Sequence, residues 1–186
     1  MFKTLLLAGL VTATAACGSK KADTTERYAV GTYLYDGNVM SGSTNCTFDA
    51  PPGVLDGTMV KSPGTITKKC PKGASTIVAD YADRVVPTFP NKWKVGEKVE
   101  LHFELRDAQN RRLTPTLSEM GVTTLEDGCT ALKDLDRGGA QDTGRDPFMS
   151  ATAAAPGTCK VMVEIELPAK TGGTTKLHAE QVVAVK

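Results

Sequence analysis

The stretch that decides the fold is Lys98-Val99-Glu100-Leu101-His102-Phe103-Glu104-Leu105-Arg106. Its odd-numbered residues are apolar, and its even-numbered residues are charged or histidine. Successive side chains of a β-strand point to opposite faces. This period of two therefore predicts a strand with one face in a core and the other face in solvent.

The same alternation occurs twice more towards the C terminus. A second strand is predicted from Cys159 to Pro168, with apolar side chains at its odd-numbered positions. After the turn Thr171-Gly172-Gly173-Thr174, a last strand is predicted over residues 175–185. The C-terminal half is therefore predicted to be β-structure.

The front half is predicted to have the same character. Residues 29–35 are rich in β-branched and aromatic side chains, and residues 55–60 resemble the centre of a hairpin. Residues 76–79 and 84–89 are further short strand candidates, and prolines interrupt anything longer. Only residues 124–135 could hold a short helix. Several short strands separated by turns predict an all-β fold with a two-sheet sandwich.

The N terminus carries an export signal. A lysine at position 3 is followed by an apolar run and then by Thr14-Ala15-Ala16-Cys17-Gly18. This pattern resembles a bacterial lipoprotein signal peptide with its lipobox. The resemblance implies cleavage before Cys17 and attachment of acyl chains to that cysteine. The apolar run is shorter than the about 20 residues that span a bilayer, so a transmembrane anchor is the weaker interpretation, and plain secretion is the other alternative.

A lipid anchor would keep the globular part at a membrane surface, because two or three acyl chains hold a protein there permanently. The lipoprotein resemblance favours the outer membrane, since glycine and serine rather than aspartate follow Cys17. The segment that follows is small and polar, which predicts a flexible tether. The predicted organisation is a signal peptide (1–16), a lipidated cysteine and tether (17–27), an N-terminal β-rich segment packed on the same sandwich (28–94), and a β-sandwich domain (95–186).

Four cysteines remain after Cys17, and an even number in an exported chain predicts two disulfides. Three pairings are possible, and loop closure favours the local one because shorter loops form more readily. The predicted disulfides are Cys46 with Cys70 and Cys129 with Cys159. The chain has no Cys-x-x-Cys pair that would indicate a zinc or redox site.

Three segments of the last half occur in a characteristic order: Val95–Leu101, Arg106–Asn110 and Ala154–Val161. Together they resemble the bacterial immunoglobulin-like domains of invasins, adhesins and envelope lipoproteins. The resemblance implies an immunoglobulin-like antiparallel β-sandwich and transfers no catalytic residues. The chain departs from the family in lacking the usual central-strand tryptophan and in residues 123–149, which are interpreted as an insertion.

One acidic segment has the spacing of a calcium loop. Asp134, Asp136 and Asp142 occupy the first, third and ninth positions of an EF-hand-type loop, with glycine at the sixth. The twelfth position is Arg145 instead of the bidentate glutamate. We therefore expect a solvated acidic loop, with a weak calcium site as the alternative, and no cofactor.

The aromatic residues provide a second candidate binding site. Tyr28, Tyr33 and Tyr35 lie close together in sequence, and Trp93 is the single tryptophan. Exposed tyrosine and tryptophan rings could recognise a glycan or a partner protein. The alternative is core or cross-strand packing. The two histidines, His102 and His178, are expected on the polar faces of strands in different sheets.

The near-neutral net charge of +1 argues against nucleic acid as the main partner. The sequence contains no linear motif of a serine hydrolase, a zinc protease or a phosphate-binding loop. We therefore predict a non-enzymatic, lipid-anchored envelope protein for adhesion, scaffolding or other protein binding, without a small-molecule substrate. The alternatives are a glycan or peptidoglycan binding module and, less favoured, an enzyme whose active site converges from distant loops.

The lipobox leads to a direct prediction. Cys17→Ser should prevent lipidation, because the thioether can form only on a cysteine sulfur. Metabolic labelling with an alkyne fatty acid should label the wild-type protein and not the variant. Equal labelling of both would contradict the prediction.

Overall fold

The computed structural model of the chain describes residues 25–34, 46–114, 121–137 and 148–186. Within these ranges every regular element is a β-strand. Over the same residues there is no helix with the length and hydropathy needed to span a bilayer. The strands are β1 (Glu26–Ala29), β2 (Thr47–Asp49), β3 (Leu55–Asp56), β4 (Met59–Val60), β5 (Gly64–Cys70), β6 (Gly73–Asp80), β7 (Arg84–Pro87), β8 (Lys92–Trp93), β9 (Lys98–Arg106), β10 (Arg112–Leu113), β11 (Gly121–Leu125), β12 (Leu132–Arg137), β13 (Phe148–Ala153), β14 (Gly157–Pro168) and β15 (Thr174–Val185).

Residues 84–186, here called the sandwich unit, form two sheets. One sheet joins β7, β9, β13 and β12 by antiparallel pairing, and β10 pairs with the end of β9. The other sheet has the order β11-β14-β15-β8, in which only β8 runs parallel to its neighbour. When β7 is lettered as strand A, the first sheet contains strands A, B, E and D (β7, β9, β13 and β12). The second sheet contains strands C, F and G (β11, β14 and β15), which is the arrangement of an immunoglobulin domain. The predicted all-β, immunoglobulin-like antiparallel sandwich with two disulfides is confirmed.

The core of the sandwich unit follows from the alternation in the sequence. β9 occupies the predicted residues, and its odd-numbered side chains are buried. The odd-numbered side chains of β14 are buried against them in the same cluster. Burial of each such aliphatic side chain contributes about 1.5 to 3 kcal/mol. The opposite faces of both strands carry the polar residues.

Residues 25–80, here called the N-terminal unit, have a sheet of the order β1-β6-β5-β2 together with the β3–β4 hairpin. β1 runs parallel to β6, and the other two pairings are antiparallel. This is the same sequence of pairings as in β8-β15-β14-β11. The unit has its own buried cluster of Tyr28, Val30, Leu34, Val54, Val60, Ile66, Ile77 and Ala79.

The disulfides join Cys46 to Cys70 and Cys129 to Cys159, which are the local pairs. Cys46 directly precedes β2 and Cys70 ends β5, so this bond closes one end of the β2–β5 pair. Cys129 follows β11, and Cys159 lies in β14, the strand with which β11 pairs. Each bond is expected to stabilise the fold by about 3 to 4 kcal/mol through its effect on the unfolded chain.

Three local expectations were wrong. The short helix considered for residues 124–135 is absent, because β11 pairs with β14 and β12 pairs with β13 over this region. Residues 123–149 are therefore not an insertion: parts of three sandwich strands lie within them. The strand expected at residues 29–35 lies earlier, at β1, and the chain then turns at Gly31.

Gly31 lies where the two units touch. Its φ is +91°, and a Cβ there would lie 2.4 Å from Cδ of Pro168, at the end of β14. Gly31 also donates its backbone N–H to the carbonyl of Val60 at 2.8 Å. The close approach of β14 to the N-terminal unit therefore needs a residue without a side chain at this position.

Gly31→Ala should destabilise the protein more than Gly172→Ala. Gly172 has nearly the same φ, +89°, but a Cβ added there would have no atom within 4 Å. In both variants the free energy of unfolding should fall by about 1 to 2 kcal/mol, because alanine is disfavoured in the left-handed backbone region. Gly31→Ala should lose about 1 to 3 kcal/mol more from overpacking against Pro168. Urea unfolding of both variants measures the difference, and equal losses would show that the contact is not tight.

Candidate functional site at the junction of the two units

A cavity of about 400 Å³ lies between the N-terminal unit and the sandwich unit. Its walls come from the link between β6 and β7, the turn between β9 and β10, and the tip of the β14–β15 hairpin. The volume is in the range of about 300 to 1,000 Å³ that is usual for small-molecule sites. The lining residues are Asp80, Tyr81, Ala82, Asp83, Ala108, Gln109, Ala169, Lys170, Thr175 and Leu177.

Asp107 organises the wall that the β9–β10 turn contributes. Its side chain is buried, and its Oδ1 accepts backbone N–H groups of Gln109 at 3.0 Å and Arg111 at 2.8 Å. Its Oδ2 accepts the Nε–H of Arg111 at 2.6 Å. Asn110 completes the turn in the left-handed region, at φ 65°, which asparagine tolerates better than most residues. The carboxylate thus fixes both the turn backbone and the Arg111 side chain.

Two opposing effects act on the pKa of Asp107. Burial is the largest single effect and raises this pKa, because it removes water from the charged form. Hydrogen bonds from Arg111 and Gln109, together with the positive charge of Arg111, lower it. The combined hydrogen bonds and charge outweigh burial, so the pKa of Asp107 lies below its ordinary value of 3.8.

Arg111 continues the network across the junction. Its Nη2 donates to Oε1 of Gln109 at 2.9 Å and to Oδ2 of Asp80 at 3.2 Å. Asp80 is the last residue of β6, and its Oδ1 accepts the backbone N–H of Tyr81 at 2.8 Å. A carboxylate–guanidinium–carboxylate chain therefore joins the sandwich unit to the N-terminal unit.

The cavity can offer hydrogen bonds to a polar ligand. Asp80 and Asp83 supply carboxylates, Gln109 supplies an amide, and Lys170 supplies an ammonium group. The lining residues that the structure describes include no histidine, cysteine or serine. Across the described ranges, no three histidine, cysteine, aspartate or glutamate side chains are arranged to hold a metal ion.

The aromatic residues predicted as a binding surface are not assembled as one. Tyr28 and Trp93 are each only 2% exposed, so their rings belong to the two cores. The Tyr28 hydroxyl donates to Glu26 at 2.9 Å, and Trp93 Nε1 donates to the carbonyl of Pro90 at 2.6 Å. Tyr33 is 38% exposed. Tyr35, like the predicted lipidation site Cys17, lies outside the described residues.

The acidic segment starts as a strand and not as a loop. Asp134 lies in β12 with its exposed carboxylate 4.0 Å from Nζ of Lys133. Its φ is 56°, and the register of the β12–β13 pair shifts between Lys133 and Asp136. This irregularity, typical of a β-bulge, leaves Asp134 outside the regular ladder, whereas Asp136 pairs with Ser150. Asp142, the third predicted oxygen ligand, lies outside the described residues.

The histidines lie on different sheets, as expected. His102 is on β9 with its Nε2 3.0 Å from Oε2 of Glu100. His178 is on β15 with its Nε2 3.8 Å from Oε2 of Glu180. Each histidine therefore has an acidic neighbour on its own strand, and the two do not form a common site.

Sequence reasoning missed the junction network. The segment Arg106–Asn110 has the composition of a turn, and an aspartate four residues before an arginine was a visible signal for a pair such as Asp107 with Arg111. Nothing in the linear pattern indicated Asp80 as the next partner, because it precedes Arg111 by 31 residues.

Comparison with known proteins gives no family assignment. No family model matches the chain, and no curated protein matches it. Among solved structures, it is similar to domains 5-6 of the S-layer protein SbsC, with 14% identity, a TM-score of 0.41, and coverage of 88% of this chain and 94% of that chain. It is also similar to the Escherichia coli adhesin FdeC, with 12% identity, a TM-score of 0.38, and coverage of 88% of this chain and 62% of that chain. Both TM-scores are too low to support an argument about family or function.

Asp107 should make stability depend on pH at the acidic end. Its folded-state pKa is lowered, so its contribution is fully present above the unfolded pKa near about 4 and is lost as the pH falls through the folded value. Asp107→Asn should therefore lower the melting temperature at pH 7, and the difference from wild type should shrink below about pH 4.

The control is Asp83→Asn, which neutralises a carboxylate that is mostly exposed and lies 3.9 Å from its arginine partner. It should leave the shape of the pH profile unchanged. Melting curves of the three proteins between pH 7 and low pH test this directly. If the difference in melting temperature between wild type and Asp107→Asn stays constant across this pH range, the prediction is wrong.

Proposed function

We propose that the protein is a lipid-anchored, non-catalytic component of the bacterial cell envelope that binds other envelope proteins. In this proposal the acyl chains on Cys17 hold the chain at the outer membrane. The tether of residues 17–27 then connects the anchor to two disulfide-bonded β units arranged in series. Their surfaces serve adhesion or the scaffolding of an envelope complex.

The observation that carries the proposal is the repeated architecture. The sheets β1-β6-β5-β2 and β8-β15-β14-β11 have the same order and the same strand directions. In both, one disulfide lies at the pairing of the two strands at the end of that order. Two disulfide-bonded β units in series after a tether are suited to presenting a binding surface away from a membrane.

The disulfides support the predicted compartment. Bonds of this kind form and persist in oxidising environments such as the periplasm and the cell surface. Each lies beside a strand at the end of a sheet, β2 or β11, and links that end of the sheet to the partner strand. This agrees with the export signal.

Strand edges supply the surface that fits protein binding best. In the part of the chain that the structure describes, β2, β11 and β12 each end a sheet with one partner strand. The free edge of a strand presents backbone N–H and C=O groups that an extended segment of a partner can pair with. Exposed apolar side chains are also available, with Val95 50% exposed and Val182 55% exposed.

The junction cavity supports a second candidate, a glycan or peptidoglycan binding module. Its carboxylates, amide and ammonium group are suited to hydrogen bonding with sugar hydroxyls and acetamido groups. Its volume of about 400 Å³ is sufficient for a small saccharide unit.

Site-specific photocrosslinking in the native envelope distinguishes the two candidates. A benzophenone amino acid is placed at Thr124, an exposed residue of the edge strand β11, in a second variant at Val182 on the exposed face of β15, and in a third variant at Gln109 in the cavity wall. The proposal expects a discrete protein adduct from position 124 or position 182 that disappears when Cys17→Ser removes the anchor.

Two outcomes would contradict protein binding. The first is the absence of a discrete protein adduct at both position 124 and position 182. The second is co-sedimentation of the purified protein with peptidoglycan sacculi that is reduced by Gln109→Ala, which would favour the glycan module.

A further inference from the structure

The junction contains adjacent contacts to two strands of the N-terminal unit, together with the close approach of Gly31 to Pro168. The first is between β1 and β10, where the backbone N–H of Thr114 donates to the carbonyl of Arg27 at 2.7 Å. Beside it, Ala29 of β1 is buried in the core cluster of the sandwich unit. The second is the contact from Arg111 to Asp80 at the end of β6. Asp80 is the register partner of Ala29, so the two contacts are adjacent, but the first reaches β1 and the second reaches β6. Contacts to two strands restrict rotation of the N-terminal unit more than contacts to one strand.

We infer that Arg111 is a positioning residue that locks the N-terminal unit and the sandwich unit in one relative orientation through Asp80. The neighbouring contacts of β1 hold the units together, and Arg111 removes the remaining rotation. This goes beyond the proposed function, since a rigid junction can be present in a protein with any partner.

Arg111 is suited to this role because contacts within the sandwich unit already fix its side chain. Its Nε–H is held by the buried carboxylate of Asp107, and its Nη2 also donates to Gln109. A long side chain that is already fixed loses little rotamer freedom when it forms one further hydrogen bond. An ordinary exposed ion pair lacks this advantage, because both side chains must be ordered to make it.

The position of Asp80 adds to the effect. Asp80 ends β6, and its backbone carbonyl accepts the N–H of Val30 at 2.9 Å, directly after β1. Asp80 is therefore connected to both β1 and β6, the parallel pair at one end of the N-terminal sheet. The close fit of Gly31 against Pro168 is a further contact between the two units.

The experiment measures the distribution of distances between the two units. Lys72 and Lys94 are both exposed. Lys72 precedes β6 and lies at its end remote from the junction, and Lys94 follows β8 at the end of β15 remote from the hairpin tip. Each is replaced by an amino acid for click chemistry, which leaves the disulfides intact, and the mature chain is labelled with a dye pair for single-molecule FRET.

The variants are Asp80→Asn, Arg111→Gln and the double variant, with Arg84→Gln as the matched control. Arg84 is also an arginine at the junction, but its guanidinium is exposed and lies 3.9 Å from Asp83. Asp80→Asn retains an Oδ1 that can accept the Tyr81 N–H and leaves the Asp107–Arg111 turn unchanged.

We expect a single narrow FRET population for wild type and Arg84→Gln. Asp80→Asn and Arg111→Gln should each broaden it by about twofold or more, and the double variant should be no broader than Arg111→Gln, because both changes remove one contact. Unchanged widths in both single variants would overturn the inference and assign the rigidity to β1. Loss of the native near-UV circular dichroism in both single variants would also overturn it, since the contact would then be needed for folding and not for orientation.

Discussion

The structure depends on the antiparallel pairing of β14 with β15. The two strands are in register over twelve residues each, from Gly157 with Val185 to Pro168 with Thr174. This register sends the odd-numbered side chains of both strands to one face, and a shift by one residue would send them to the other. The hairpin also positions the neighbouring strands of the sandwich unit. β11 and β8 pair along its two edges, and β9 supplies the opposite half of the core.

The tip of the β14–β15 hairpin forms part of the junction between the two units. Pro168 packs against Gly31, while Ala169, Lys170 and Thr175 line the cavity. The opposite wall is held by Asp107, whose burial would be unfavourable for a charged group without the hydrogen bonds it accepts. Because Arg111 satisfies this buried carboxylate and also reaches the N-terminal unit, the same residue stabilises a turn and connects two units. The junction therefore couples the local structure of a turn to the contact between the units.

Only some of the strands could be predicted from the sequence, because the strands differ in how clearly apolar and polar residues alternate. β9, β14 and β15 show clear alternation because each has one apolar face on a core and one face in solvent. β11, β12 and β13 were missed because their sequences mix small and polar residues, such as Ser150, which is buried, and Thr124, which is exposed. Their strand conformation comes from neighbours that supply the ladder hydrogen bonds, which local propensity does not report.

The sequence by itself determined the all-β class, the three long strands, the local disulfide pairs and the expectation of export, since each depends on periodicity, on loop length or on a contiguous motif. It did not determine which aromatic rings are buried, as Tyr28 and Trp93 are, or that Asp80 meets Arg111. Those facts depend on strands that are distant in sequence becoming neighbours in a sheet or across a junction. The tertiary structure alone decided them, because side-chain burial and the partners of a charged group are properties of the packed chain and not of any segment within it.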